Sequence, residues 1–94
     1  MDDGVAPFGG KLEFVSGADM WSVNSTDDWA VDNRTGAKYA DQLIKYIQED
    51  PHRLPMLGHV LREIVRKNRF GALEVGFSHR IAVELLGTTR ATAP

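Results

Sequence analysis

Residues 55–68 read PMLGHVLREIVRKN, and this stretch carries the clearest structural pattern in the 94-residue chain. Its apolar side chains recur every three or four positions, which places them on one face of an α-helix. Pro55 suits the first helical position, where its missing N–H costs no hydrogen bond. Gly71 suits a left-handed residue just beyond the helix end. The stretch therefore predicts a helix. Its predicted buried face consists of Leu57, Val60, Leu61, Ile64 and Val65.

Upstream of this stretch, residues 36–49 show the same helical period. Thr35 is a typical N-cap residue, and Asp50 stands before Pro51, which pushes it away from helical dihedral angles. The pattern therefore predicts a helix over residues 36–49. Its predicted apolar face consists of Ala40, Leu43, Ile44 and Ile47.

Downstream, residues 72–86 fit two different structures. As a helix the segment is apolar nearly all round, and as strands its apolar residues alternate on either side of Ser78 and His79. That pair makes a poor two-residue hairpin turn, and Gly87 resembles a glycine cap at a helix end. We therefore predict a third helix, and we keep a β-hairpin over residues 72–86, which would make the fold α+β, as the alternative.

The N-terminal third contains short apolar runs at residues 12–15, 20–23 and 29–31, with polar turn residues between them. Such spacing indicates a small β meander or an extended arm lying on the helices. The predicted fold is mostly α, a compact three-helix domain over residues 11–87 behind a short N-terminal β or extended arm. Residues 1–10 predict a flexible lead, and residues 88–94 predict a flexible tail.

The composition restricts the class of protein. It is 43% hydrophobic and 26% charged, with a net charge of −2, as in folded globular proteins. The chain has no cysteine, an acidic start at Asp2 and Asp3 in place of the positive charge of a signal peptide, and no apolar run of about 18 residues. These features predict a cytoplasmic protein that does not enter a membrane.

No motif for catalysis or metal binding is recognisable. His59 and Glu63 lie four residues apart on one predicted helix, but a zinc site needs at least one further protein ligand. Ser78 and His79 are adjacent, and the sequence places no acid to orient the histidine as a catalytic triad requires. We therefore expect no metal, no cofactor, no catalytic residues and no enzyme activity.

Charge is distributed unevenly along the chain. Residues 1–50 carry ten acidic and four basic side chains, a net −6, whereas residues 51–94 carry three acidic and seven basic ones, a net +4. Packing of the two halves against each other is the simpler interpretation. The alternative is a nucleic-acid-binding regulator that uses the basic side of the second helix. The residues of that alternative site are Arg62, Arg66, Lys67, Arg69 and Arg80.

Apolar surface suggests a role in protein contacts. A segment as apolar as residues 72–86 is difficult to cover in so small a domain, and two tryptophans add aromatic surface typical of interface anchors. The alternative for the two tryptophans is that both cap the chain's own core. The sequence therefore predicts a small protein-interaction or regulatory module that forms a homodimer or binds a protein partner. The predicted interface residues are Trp21, Trp29, Leu73, Phe77, Ile81 and Leu85.

Overall fold

The computed structural model of the protein describes the backbone of residues 3–5 and 9–92 and the side chains of residues 9–87. Its strands are β1 (Asp3–Val5) and β2 (Lys11–Ser16), and its α-helices are α1 (Trp29–Glu49), α2 (Pro55–Arg66) and α3 (Ala72–Thr92). A 3₁₀ turn, Pro51–Arg53, joins α1 to α2. The predicted class, a mostly α domain of three helices behind a short β element, is confirmed. The hairpin alternative for residues 72–86 is wrong.

The two ends of the chain differ from the flexible segments that the sequence predicts. Within the predicted lead, β1 pairs with β2 in an antiparallel ladder, and residues 1–2 and 6–8 lie outside the described residues. Gly87 does not end α3, because a glycine inside a helix costs only about 1 kcal/mol relative to alanine. The backbone of residues 88–92 continues the helix, and residues 93–94 lie outside the described residues.

Helix α1 begins seven residues earlier than the sequence pattern predicts. Asp28, not Thr35, is the N-cap, and its carboxylate accepts a hydrogen bond from the Val31 amide at 3.1 Å. The Thr35 hydroxyl donates instead to the Val31 carbonyl one turn earlier in the helix. Residues 29–31, predicted as a short apolar run of the arm, are therefore the first turn of α1.

The arm before α1 lies across the helices. Leu12 and Phe14 of β2 are buried, and the Ser22 amide donates to the Phe14 carbonyl at 2.7 Å, so the chain turns back beside β2. Residues 20–23 are extended but form no named strand. Trp21, fully buried, contacts Phe14 and Phe77 with ring centroids 5.4 and 4.8 Å away. The arm thus supplies the aromatic centre of the core.

Helices α1 and α3 run in the same direction and touch backbone to backbone. A Cβ built on Gly36 would overlap the Leu73 carbonyl and lie 2.8 Å from the Phe77 amide nitrogen. A Cβ built on Gly76 would overlap the Asn33 carbonyl in the same way. Only glycine permits this approach at the two crossing points.

Helix α2 buries less of its apolar face than the sequence predicts. Val60 and Ile64 are buried as expected, but Leu61 is 40% exposed and Val65 is 65% exposed. The prediction that these two side chains lie in the core is wrong, because the edge of α2 that carries them is left open by the described part of the chain. Within that part, no helix is both long and apolar enough to cross a membrane.

The glycine contact gives a first testable prediction. Gly36→Ala should lower the free energy of unfolding by about 2 kcal/mol or more, because overpacking a fixed contact typically costs 1–3 kcal/mol and here the obstacle is backbone. Gly58→Ala is the matched control. It lies in α2 with nothing within 4 Å of its added Cβ, and it should gain about 0.5–1 kcal/mol. Urea unfolding measures both, and equal stabilities of the two variants would contradict the close contact.

Candidate functional site

A long apolar groove lies between α2 and α3. Its volume is about 610 Å³. Helix α2 contributes one wall, the connection to α3 contributes an aromatic ring, and the first two turns of α3 contribute the other wall. The lining residues are Leu61, Ile64, Val65, Phe70, Glu74, Val75, Ser78 and His79.

The groove collects large apolar side chains that face solvent. Leu61 and Val65 of α2 meet Phe70, which is 62% exposed, and Val75, which is 43% exposed. Large apolar side chains scattered singly on a surface are common, whereas a cluster of them marks a contact site. Four such side chains therefore lie together on the exposed surface of one groove.

A buried carboxylate closes the floor of the groove. Glu74 is 3% exposed, and one of its oxygens accepts the Gly71 amide at 2.8 Å, as in a helix capping box. The other oxygen accepts the Trp21 indole N–H at 2.8 Å and lies 3.3 Å from Nε of Arg69. Because both oxygens are engaged, the carboxylate holds the floor of the groove to the arm.

The turn after α2 directs two basic side chains toward the arm. The Asn68 amide donates to the Val65 carbonyl and the Arg69 amide donates to the Ile64 carbonyl, which is the Schellman arrangement. The left-handed residue is Asn68, with φ 55°, and not the Gly71 that the sequence predicts. Asparagine tolerates that conformation well. The motif places Lys67 and Arg69 beside the arm.

Lys67 and Arg69 bind the arm directly. Lys67 donates to both carboxylate oxygens of Asp19 at 2.7 Å and to the Trp21 carbonyl at 2.8 Å. Arg69 donates to the Val23 carbonyl at 3.0 Å and to the Ser25 hydroxyl at 2.8 Å. Sequence reasoning missed these contacts, and the only signal available was the excess of basic residues in the second half of the chain.

The structure separates the residues of the predicted protein interface. Trp21, Leu73 and Phe77 are buried in the chain's own core, so their prediction as surface contacts is wrong. Each packs against another element of the same chain, which a helical or alternating pattern cannot distinguish from an interface. Ile81 is half-buried against the core. Trp29 is exposed at the start of α1. Leu85 is exposed in the second half of α3, where it lines a smaller apolar concavity together with Ile81. Neither Trp29 nor Leu85 lines the groove between α2 and α3.

The predicted nucleic-acid site is not one cationic face. Besides Lys67 and Arg69, Arg80 is engaged, because its guanidinium pairs with Asp41 at 2.7 Å and with Glu84 at 3.2 Å. Arg66 forms an ion pair with Glu63. Arg62 lines a separate small pocket together with Glu63 and Arg66. Arg69, beyond the end of α2, has a side chain that is only 30% exposed and pairs with Glu74.

No described cluster of histidine and carboxylate side chains is large enough to hold a metal ion. His59 is exposed, and the Glu63 carboxylate is engaged by Arg66. Comparison with known proteins identifies no relative, since no family model, curated protein or solved structure matches the chain significantly.

The arm contacts predict a dependence of stability on pH. Partial burial opposes ionisation of Asp19, but hydrogen bonds from Lys67 and the Trp21 amide outweigh it and lower the pKa of Asp19 below its usual value. A carboxylate with a lowered folded-state pKa stabilises the fold above its unfolded pKa of about 3.9, and this contribution is lost as pH falls through the folded value. Asp19→Asn should therefore melt at a lower temperature than the wild type at pH 7.

The difference in melting temperature between wild type and Asp19→Asn should shrink progressively below about pH 4. The exposed Asp27→Asn, which removes an equal charge from the loop before α1, is the control and should melt like the wild type at pH 7. Thermal unfolding followed by circular dichroism measures both variants. A gap between wild type and Asp19→Asn that stays constant from pH 7 to strong acid would contradict the ion pair.

Proposed function

We propose that this chain is a small non-catalytic protein-interaction module that self-associates through the groove between α2 and α3. The observation that carries the proposal is the exposed apolar cluster of Leu61, Val65, Phe70 and Val75. These side chains form one patch of the α2 and α3 apolar surface that the described chain leaves uncovered, and Val83, Leu85 and Leu86 of α3 are exposed outside it. Occupation of the groove by a second copy would give the module a concentration-dependent, regulatory response.

A second copy fits the shape of the groove. Phe70 is 62% exposed and lines the same groove as Val65 and Val75, so a two-fold axis would let Phe70 of each copy pack against Val65 and Val75 of the other. The carboxylate in the floor, Glu74, already faces Arg69, so it presents no uncompensated charge to its symmetry mate. Two identical grooves can therefore meet without like-charge repulsion between their floors.

The expected affinity is modest. Complete burial of such a side chain is worth about 1.5–3 kcal/mol, and these four are already about half covered. The four would then contribute about 3–6 kcal/mol per protomer, or about 6–12 kcal/mol per dimer. Association costs about 4–15 kcal/mol in lost freedom. The balance corresponds to a weak dimer with a dissociation constant in the micromolar range or above.

Sedimentation velocity over a wide concentration range tests this proposal. Phe70→Ser, which removes the exposed ring, should raise the dimer dissociation constant by about tenfold or more. Leu54→Ser is the matched control, since Leu54 is 60% exposed, close to the 62% of Phe70, but lies outside the groove. Buried Trp21 fluorescence reports whether each variant keeps the native fold.

A dimer that weakens in Phe70→Ser but not in Leu54→Ser supports the proposal. A wild-type protein that stays monomeric at several hundred micromolar would exclude self-association, and the groove would then belong to a different protein partner. Equal weakening in the control would also contradict the assigned surface. Trp29→Ser and Leu85→Ser test the two exposed residues of the sequence-derived interface by the same measurement.

Nucleic-acid binding is the weaker alternative, because Lys67, Arg69 and Arg80 already pair with groups of the same chain. We expect the protein to bind duplex DNA no more tightly than about 10⁻⁴–10⁻⁶ M at physiological salt, the non-specific range. Fluorescence anisotropy at several salt concentrations measures this. A nanomolar affinity that is lost in Arg62→Ala/Arg66→Ala would favour the alternative.

A further inference from the structure

A second concavity lies at the other end of the helices, apart from the apolar groove, and it is lined by charged groups. It has a volume of about 260 Å³ and is formed by the start of β2, the last turns of α1 and the 3₁₀ turn. The lining includes Gly10, Lys11, Lys45, Tyr46, Glu49 and Arg53.

Arg53 is held rigidly in the wall of this pocket. Its guanidinium carbon lies 4.2 Å from the centroid of the Tyr46 ring, and its Nη1 donates to the Tyr46 carbonyl at 3.0 Å. The side chain is 19% exposed, and its Nε is buried with no hydrogen-bond acceptor. A guanidinium whose donors are incompletely used and whose hydration is mostly lost gains most from an anion placed beside it.

The backbone of a glycine turn forms the opposite side of the pocket. Gly9 and Gly10 have φ values of 86° and 71°, a conformation that other residues rarely adopt, and the Tyr46 hydroxyl donates to the Gly9 carbonyl at 2.6 Å. A Cβ on Gly10 would lie 3.1 Å from the Tyr46 ring and 3.8 Å from Nη2 of Arg53. The turn therefore brings main chain close to the guanidinium, and no side chain of its own fills the space.

The charges around the pocket do not balance. Lys11 and Lys45 are exposed at the rim and form no ion pair with any residue in the described part of the chain. Glu49 is the one lining acid, and it is 61% exposed and 3.6 Å from Arg53. Asp50 lies nearby but outside the lining, where its carboxylate accepts the His52 amide. The lining side chains alone, three cations and one acid, carry a net charge of +2, which the nearby Asp50 partly offsets.

We propose that this pocket binds the phosphate group of a small molecule. Arg53 offers a fixed planar donor, and the two lysines supply mobile point charges that can close over the group from the rim. The net charge of the lining matches a phosphate dianion better than a carboxylate, and the volume of about 260 Å³ lies just below the range of about 300–1,000 Å³ typical of sites for drug-sized ligands. The inference is independent of the proposed self-association, because the pocket shares no lining residue with the apolar groove.

Nuclear magnetic resonance titration of ¹⁵N-labelled protein at constant ionic strength and pH 7.5 tests the site. The probes are inorganic phosphate, glycerol phosphate with glycerol as its control, and acetate as a singly charged anion. Phosphate should shift the Gly10 and Lys11 amides and the Arg53 Nε–H in a saturable way. A half-saturation point near about 1 mM corresponds to a site of this size and exposure.

Lys11→Gln/Lys45→Gln should weaken phosphate binding by about tenfold, because each exposed charge contact contributes up to about fivefold. Arg34→Gln/Arg62→Gln is the matched control, since it removes the same charge from exposed positions outside the pocket and should alter binding by less than about twofold. Both variants change only exposed side chains and keep the mostly buried Arg53, so both should fold like the wild type. A difference in phosphate binding between them then reports on the pocket.

Binding of glycerol phosphate as tight as that of phosphate supports a phosphorylated metabolite as the ligand. Binding of inorganic phosphate alone supports the free ion. The proposal is wrong if no saturable shift occurs up to about 50 mM phosphate, a concentration at which even a very weak site would fill. It is also wrong if acetate binds as tightly, or if the control variant loses binding equally.

Discussion

The backbone contact between α1 and α3 determines how the rest of this small domain is arranged. Gly36 and Gly76 allow the two parallel helices to approach until main chain meets main chain, which no larger residue permits. Because these helices occupy each other's inner faces so fully, α2 packs at their side instead of between them. One edge of α2 consequently stays open, and Leu61 and Val65 remain exposed beside α3. The apolar groove lies along this open edge of α2, beside the first turns of α3.

The extended arm covers the core of the three helices, as a fourth helix does in a larger bundle. A chain of 94 residues buries a limited share of its surface, and here Trp21 fills the centre of the core from an irregular segment. An extended segment has few backbone hydrogen bonds of its own, so it is tied down by side chains, Lys67 to Asp19 and Arg69 to the Val23 carbonyl. The unequal charges of the two halves are partly explained by these contacts between them.

The sequence predicts the fold class well because apolar periodicity identifies the face of each helix that packs against another element. It predicts the helix of residues 55–68 to within two residues, and the end of α1 at Glu49. It misses the start of α1, because Asp28 and Thr35 are both suitable caps and only tertiary contacts select between them. It also misses the exposure of Leu61 and Val65, since periodicity defines an apolar face without showing whether another element covers it.

The same limit explains why the candidate sites differ from the sequence-derived ones. Trp21 resembles an interface anchor until Glu74, 53 positions later, is seen to accept its indole N–H. The sequence pattern does not distinguish Arg53 from other arginines. In the structure it stacks on Tyr46 in the wall of a pocket, and its Nε has no hydrogen-bond acceptor.

The groove lies where the end of α2 meets the start of α3, and the charged pocket lies where α1 ends. Since α1 and α3 run in parallel, the two surfaces are at opposite ends of the bundle. Each can therefore be occupied without obstructing the other, although the arm contacts both, through β2 at the pocket and through Trp21 at the floor of the groove.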